Sequence, residues 1–346
     1  MNIGVSQKGA IILGDLVCCD GFLKDRPFRV QTHVHHDHLR GISSSFGNQN
    51  GVVMTEPTRD LLSVILNNPA IFHRQNVLIM RNSSIERFNG FKIELINNGH
   101  MLGSVQVAVH YDNGKHLGYS GDFSWPLDDV IKVDELVVDS TYGFSDSVHD
   151  FDRDQVNRQL LETISEKLPL GPIIVTASRG TMHNAMHTVQ ESIKAPIIVS
   201  SKQMEEIQIY NKWGYGFENI YKSNSEEGRK ILNSDHYIRF LGTGDKPIIE
   251  DYPNSTLITL KALYGRSNEP ITRHLGVRED FHIAYSDHAD FNGTIDYIKA
   301  TGAKFVLTDP SRSGMERATE LAKKIRSILN IKAKPAENIP SQLWGE

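Results

Sequence analysis

"QTHVHHDHLRG", Gln31 to Gly41, packs four histidines and an aspartate into six consecutive positions. In an extended segment, side chains two apart share a face, so His33 and His35 aim at one point while Val34 turns to the core. A turn after His35 frees Asp37 and His38 to reach a second point close by. Imidazoles mixed with carboxylates suit a divalent transition metal, with zinc first and manganese or iron also compatible. A solvated, pH-sensitive histidine loop is the competing reading of the same letters. His36 fills the variable position and reads as a surface residue or as one supporting the ligands from behind.

Donors from one loop do not complete two metal positions, so further ligands are expected at later strand ends. "NNGHMLGS" sets His100 between a glycine turn and a β-rich run, and "GYSGDFS" sets Asp122 just after a short strand. Alone, each is more often a turn former or a satisfied polar residue. Their order behind the first cluster gives them weight.

The rest of the chain bounds the setting. Its 346 residues, 39% hydrophobic, can bury a large core in one big domain or two packed ones. A net charge of −5 offers polyanions no overall attraction, so nucleic-acid binding must rest on a local basic groove. The two cysteines, Cys18 and Cys19, are adjacent and cannot staple distant segments, which fits a reducing compartment. No charged-then-apolar leader and no apolar run near the roughly 20 residues of a membrane span is visible, so a cytoplasmic protein without a membrane is expected.

Organisation reads in three parts: residues 1–148, 149–262 and 263–346. The first is strand-rich, with one convincing helix at "PTRDLLSVILNN", where Pro57 suits a first turn. The second alternates helix and strand, as a parallel α/β sheet requires. In the third, strands return ("HIAYSD", "KFVLTD") beside two helices. The middle part reads as an insertion.

"HVHHDH" resembles the H-x-H-x-D-H signature of the metallo-β-lactamase fold, and "GHMLGS" and "YSGDFS" resemble its later motifs. The resemblance implies a four-layer αββα domain, mixed α/β in class, with a dinuclear centre. It gives His33, His35 and His100 to one metal and Asp37 and His38 to the other, with Asp122 bridging. "ELVVDSTYGF" and "AYSDHADFNG" resemble motifs A and B of the β-CASP nucleases, which include cleavage and polyadenylation factors, ribonuclease J and Artemis-type DNA nucleases. In that subgroup the inserted α/β part is the cap.

Asp139 and His288 then form an acid–base pair, the carboxylate raising the imidazole's pKa so that it protonates the leaving oxygen. Asp37 is implied both as ligand and as catalytic carboxylate. Two divalent cations, zinc before manganese, are implied to activate water and to neutralise charge at phosphorus. Where the subgroup usually places a third-motif histidine, "KFVLTDPSRSG" offers Asp309, an oxygen ligand if it binds metal at all. Ser311, Arg312 and Ser313 are candidates for a terminal phosphate, against an ordinary Ser313–Glu316 capping box. Ser178, Arg179, Gly180 and Thr181 in "TASRGTM" are candidates for a backbone phosphate, against a plain turn. His183 and His187, one helical turn apart, lack a third donor and read as structural.

The expected activity is hydrolysis of single-stranded nucleic acid. Size and the run from Tyr285 to Asp309 resemble short prokaryotic ligase-associated DNA exonucleases or RNA-processing exonuclease-like proteins. Aspartate in "VVDSTYG" leans towards DNA, hence DNA repair, with RNA processing as the alternative. A non-enzymatic nucleic-acid binder and a small-molecule metallohydrolase are the other readings, and a homodimer is left open.

Overall fold

A computed structural model describes residues 2–245, 254–262, 269–275 and 279–337 of the chain. Two compact units form: Met1–Val148 joined by Asp287–Glu346, and His149–Ser286. In the first unit, one sheet has six strands in the order Ile3–Val5, Ile11–Leu13, Val17–Cys19, Phe28–Val30, Gly51–Thr55, Val77–Met80. A seven-stranded sheet runs from Lys332–Pro335 through Phe305–Asp309, Glu135–Asp139, His116–Tyr119, Val105–Tyr111 and Phe91–Asn97 to Ser84–Phe88.

Two-residue periodicity explains how these sheets stack. Val105, Val107 and Val109 pack with Val17, Val30 and Val53 in the core between the sheets. Ala108 points the other way, into a second core shared with Ile295 and Ile298 of the helix Phe291–Thr301 and Leu321 and Ile325 of the helix Met315–Leu329. Val137 and Leu307 likewise face inward, while Leu136, Val138 and Val306 face the helices. On the six-stranded sheet, the parallel strands Phe28–Val30, Gly51–Thr55 and Val77–Met80 need crossover connections. The helices Ile42–Asn48 and Glu56–Ile65 supply them. The result is helix, sheet, sheet, helix, the four-layer arrangement expected.

Thr55 caps the helix Glu56–Ile65 by accepting from the Thr58 amide, with Pro57 in its first turn. The helix Ile42–Asn48 is absent from the sequence reading. Its "ISSSFGN" holds three serines and a glycine, poor helix formers that give no periodic signal.

The second unit has one seven-stranded sheet, ordered Ile220–Lys222, Ile197–Val199, Ile238–Gly242, Ile173–Ala177, Thr256–Lys261, Glu279–Ala284, Ile271–Leu275. This corrects a boundary. The sequence reading assigns residues from 263 onward to the C-terminal part of the catalytic domain, but Glu279–Ala284 pairs in parallel with Thr256–Lys261. That strand and its antiparallel neighbour Ile271–Leu275 therefore close the inserted sheet, and the return to the first unit comes at Asp287. Among the described residues, no helix is long and apolar enough to cross a membrane.

Candidate metal centre

The donors converge from strand ends of the first unit. His33 and His35 lie just beyond Phe28–Val30, His100 precedes Val105–Tyr111, and Asp122 follows His116–Tyr119. Gly121 makes the last placement feasible. Its φ is +58°, and a Cβ there would meet Asn98 Nδ2 and the Val105 carbonyl oxygen at 2.9 Å.

One donor atom each from His33, His35, His100 and Asp122 lies within 4.8 Å of the others. Asp122 Oδ2 is 3.6 Å from His33 Nε2 and 3.7 Å from His100 Nε2, while His35 Nδ1 and His100 Nε2 face each other at 3.1 Å. His100 Nδ1 donates to the Asp287 carbonyl at 3.1 Å, leaving its Nε2 lone pair for the centre. Thr32 Oγ1 donates to Asp20 and accepts from His33 Nδ1 at 3.0 Å, which leaves His33 Nε2 buried with no hydrogen-bond partner. Burial, with His38 beside it, holds the His33 pKa well below the usual imidazole range, and burial with His288 lowers that of His100. Neutral imidazoles around an ionised carboxylate are the state in which such a set takes up a transition metal. These residues fit the first divalent cation.

His38 is positioned differently. Its Nδ1 lies 2.7 Å from Asp20 Oδ2, and its Nε2 lies 3.2 Å from Asp122 Oδ1. Asp20, beyond the strand Val17–Cys19 at φ +53°, also accepts from the Thr32 hydroxyl at 2.6 Å and the Thr32 amide at 2.8 Å. One carboxylate thus orients His38 and, through Thr32, His33. Asp20 is the functional residue that sequence reasoning missed. Its "CCDG" context reads as a turn, and only its later partners reveal it. Burial opposes charge on His38, as does Arg312, but Asp122 and Asp20 raise its pKa to about 9. Burial likewise opposes ionisation of Asp122, yet His38, His288 and His33 hold its pKa well below the usual carboxylate range.

Asp139 and His288 meet beside this cluster. His288 Nδ1 is 3.2 Å from Asp139 Oδ2, and His288 Nε2 is 3.8 Å from Asp122 Oδ2. Thr141 donates to Asp139 Oδ1 through its amide at 2.9 Å and its hydroxyl at 2.7 Å, so the carboxylate is held still. Burial lowers the His288 pKa, but the bond to Asp139 and the charge of Asp122 outweigh it and raise the value to about 9. Tyr142 packs edge-on against the imidazole, ring centres 5.7 Å apart.

Other expected site residues fall elsewhere. Asp37 sits in the short turn His36–His38, exposed like His36, and belongs to none of the metal-competent groups among the described residues. Its Oδ2 is 3.7 Å from His38 Nε2 and 3.8 Å from Arg312 Nε. Asp309 belongs to none of the metal-competent groups among the described residues: its Oδ1 accepts from the Ser311 amide at 2.8 Å and its Oδ2 from Arg312 Nη1 at 2.9 Å. That carboxylate takes up the Ser311 amide and Arg312 Nη1, two of the donors expected to hold a phosphate in this turn. Ser313 makes no capping box either; its hydroxyl bonds Ser140 Oγ at 2.6 Å and the Asp309 carbonyl at 3.0 Å.

In the second unit, Arg179 spends its guanidinium on Glu206, with Nε–Oε2 2.9 Å and Nη2–Oε1 3.0 Å. Ser178 bonds Thr181 at 3.0 Å, and Gly180 supplies the helix entry at φ +79°. These contacts are those of a turn entering the helix Thr181–Ser192. His183 is buried and stacks on Tyr210, ring centres 3.9 Å apart, and His187 lies 3.8 Å from Glu191.

No protein-family model matches the chain. An uncharacterized protein in the lig 3′ region of Acidianus ambivalens is 36% identical over 126 residues, 36% of this chain and 89% of that protein. The transcription termination factor FttA of Methanocaldococcus jannaschii is 24% identical over 296 residues, 74% of this chain and 46% of the factor. An RNase J-like protein of the same organism is 28% identical over 200 residues, 49% of this chain and 46% of that protein. The chain belongs to the metallo-β-lactamase/β-CASP family. The chain spans less than half the length of the termination factor and of the RNase J-like relative. A crystal structure of a protein of unknown function from Enterococcus faecalis V583 shares the fold, with TM-score 0.57 and 10% identity over 81% of this chain and 74% of that one.

Proposed function

We propose that this protein is a metal-dependent nuclease that hydrolyses phosphodiester bonds of single-stranded RNA. The observation that carries the reading is the Asp139–His288 pair, 3.8 Å from the carboxylate that also faces the three metal-competent imidazoles. His33, His35, His100 and Asp122 would hold a divalent cation, zinc by their imidazole-rich chemistry and manganese second, which would supply an activated water and positive charge at phosphorus.

The chain's own residues do the rest. Asp122 keeps its charge and steadies His288 from one side, while Asp139 fixes the ring from the other. His288 therefore presents a protonated Nε2 with which to protonate the departing sugar oxygen. His33 and Asp122 side chains are 0% and 8% exposed, so the scissile phosphate has to reach into a recessed centre. A flexible single strand does this more readily than a stiff duplex, whose persistence length is about 150 base pairs.

RNA is preferred to the DNA favoured by "VVDSTYG" because the relatives' names refer to transcription termination and to RNase. Matched end-labelled RNA and DNA strands, incubated with the purified chain and Mn²⁺ or Zn²⁺, test this. Cutting of RNA well ahead of DNA is expected. Cutting of DNA alone reverses the substrate assignment, and cutting of neither by metal-loaded protein removes the nuclease reading. The product ladder distinguishes endonucleolytic from exonucleolytic action.

A further inference from the structure

The second cation position that the fold family calls for does not fit this chain. It would draw on His38 Nε2, on Asp122 Oδ1 3.2 Å away and on Asp37. A further donor has to come from the end of Phe305–Asp309, yet both Asp309 oxygens are already bonded to Ser311 and Arg312. What reaches the position instead is a cation. The Arg312 side chain is 6% exposed; Nη1 donates to Asp309 at 2.9 Å and Nη2 to the Gly9 carbonyl at 3.3 Å. Its Nε is buried with no hydrogen-bond partner and stands 3.8 Å from Asp37 Oδ2.

Two consequences follow from that geometry. A dication coordinated by Asp37 would lie beside a guanidinium that is itself buried, setting two positive charges close together at a carboxylate that faces both. The orphaned Nε–H, meanwhile, is a charge-assisted donor lacking an acceptor, which a buried group does not leave unmade without cost.

We infer that this protein works with a single divalent cation, held by His33, His35, His100 and Asp122, and that Arg312 stands in for the second as a fixed positive charge. Its Nε–H is the donor for a non-bridging oxygen of the bound phosphodiester. The phosphate part of the inference rests on the nuclease reading; the cation count does not.

The test begins with the unmodified full chain. It is saturated with Zn²⁺ or Mn²⁺, freed of loosely held ions and analysed by elemental mass spectrometry. One ion per chain is expected, and two overturn the inference. Anomalous scattering from crystals of the loaded protein should show one peak among His33, His35, His100 and Asp122; a second peak beside His38 also overturns it.

Arg312→His removes the permanent charge and offers an imidazole, and should raise the count towards two. Arg312→Lys keeps the charge and should hold it at one. A folded Arg312→His protein that still binds one ion defeats the claim that the guanidinium is what excludes the second. If Arg312→His does not fold, the count and scattering from the unmodified chain decide alone. A single ion without cleavage of any strand would remove the nuclease reading while leaving the count intact, and two ions with cleavage would do the reverse.

Discussion

His288 lies between two carboxylates, Asp139 Oδ2 at 3.2 Å from Nδ1 and Asp122 Oδ2 at 3.8 Å from Nε2. Burial disfavours its proton, yet the pair raises its pKa to about 9, above the ordinary imidazole value. The sign is then fixed: the protonated form dominates below about pH 9 and is lost above it, so turnover that depends on this acid falls as pH rises through that value. Replacing His288 by Asn should lower kcat by roughly 10²–10⁴-fold and abolish the alkaline fall while leaving the bound-metal content unchanged. A kcat–pH profile with metal analysis checks it, and a variant that retains the alkaline limb would transfer that limb to another group. Asp20 acts at one remove. Because it orients His38 directly and His33 through Thr32, Asp20→Asn should weaken cation affinity about 10–100-fold, measured by chelator competition. Unchanged affinity would mean that Thr32 alone sets the His33 ring.

At the scale of elements, Asp309 at the end of the strand Phe305–Asp309 caps the turn Pro310–Ser313 that follows. Asp309→Ala leaves Arg312 buried without its carboxylate, which should cost about 3–5 kcal/mol in urea unfolding without changing the metal content. A loss of bound metal in the folded variant would restore Asp309 as a ligand. The same strand marks how far the sequence was legible. His33 and His35 could be placed together because alternation along an extended segment is a local rule. His100 and Asp122 could be added because short strands and glycine turns announce strand ends. Asp37 could not, because whether its side chain faces the centre depends on the tight turn His36–His38, which leaves it exposed. Asp20 was hidden for a different reason: its role lies in a bond to His38, eighteen positions away, and nothing local encodes that distance. The strand Glu279–Ala284 was recognised as β, but which sheet it joins is decided by a non-local partner, Thr256–Lys261.

At the scale of the whole molecule, every donor of the candidate centre comes from the unit Met1–Val148 with Asp287–Glu346, and none from His149–Ser286. His100 and Asp122 belong to segments separated from His33 and His35, so the complete donor set exists only in the native chain, which binds the cation more tightly than the unfolded one. Linkage then makes cation binding a stabilisation of at most about 2.7 kcal/mol when the free ion is a hundredfold above its dissociation constant, reduced by whatever the histidine-rich run holds when unfolded. That free energy is confined to openings that disperse the ligands. Amide hydrogen exchange should therefore slow in the strands Glu135–Asp139 and Val105–Tyr111 on addition of Zn²⁺ or Mn²⁺, and return to its former rate with chelator. Ile173–Ala177 and Ile197–Val199, in the other unit, should exchange at the same rate with or without the ion. The His100→Ala protein should lose the effect in the first pair of strands, since one of the three imidazoles around Asp122 is gone. Equal slowing in both units would mean that the cation stabilises the chain as one cooperative body, and slowing only in the second would place the ion somewhere other than among His33, His35, His100 and Asp122.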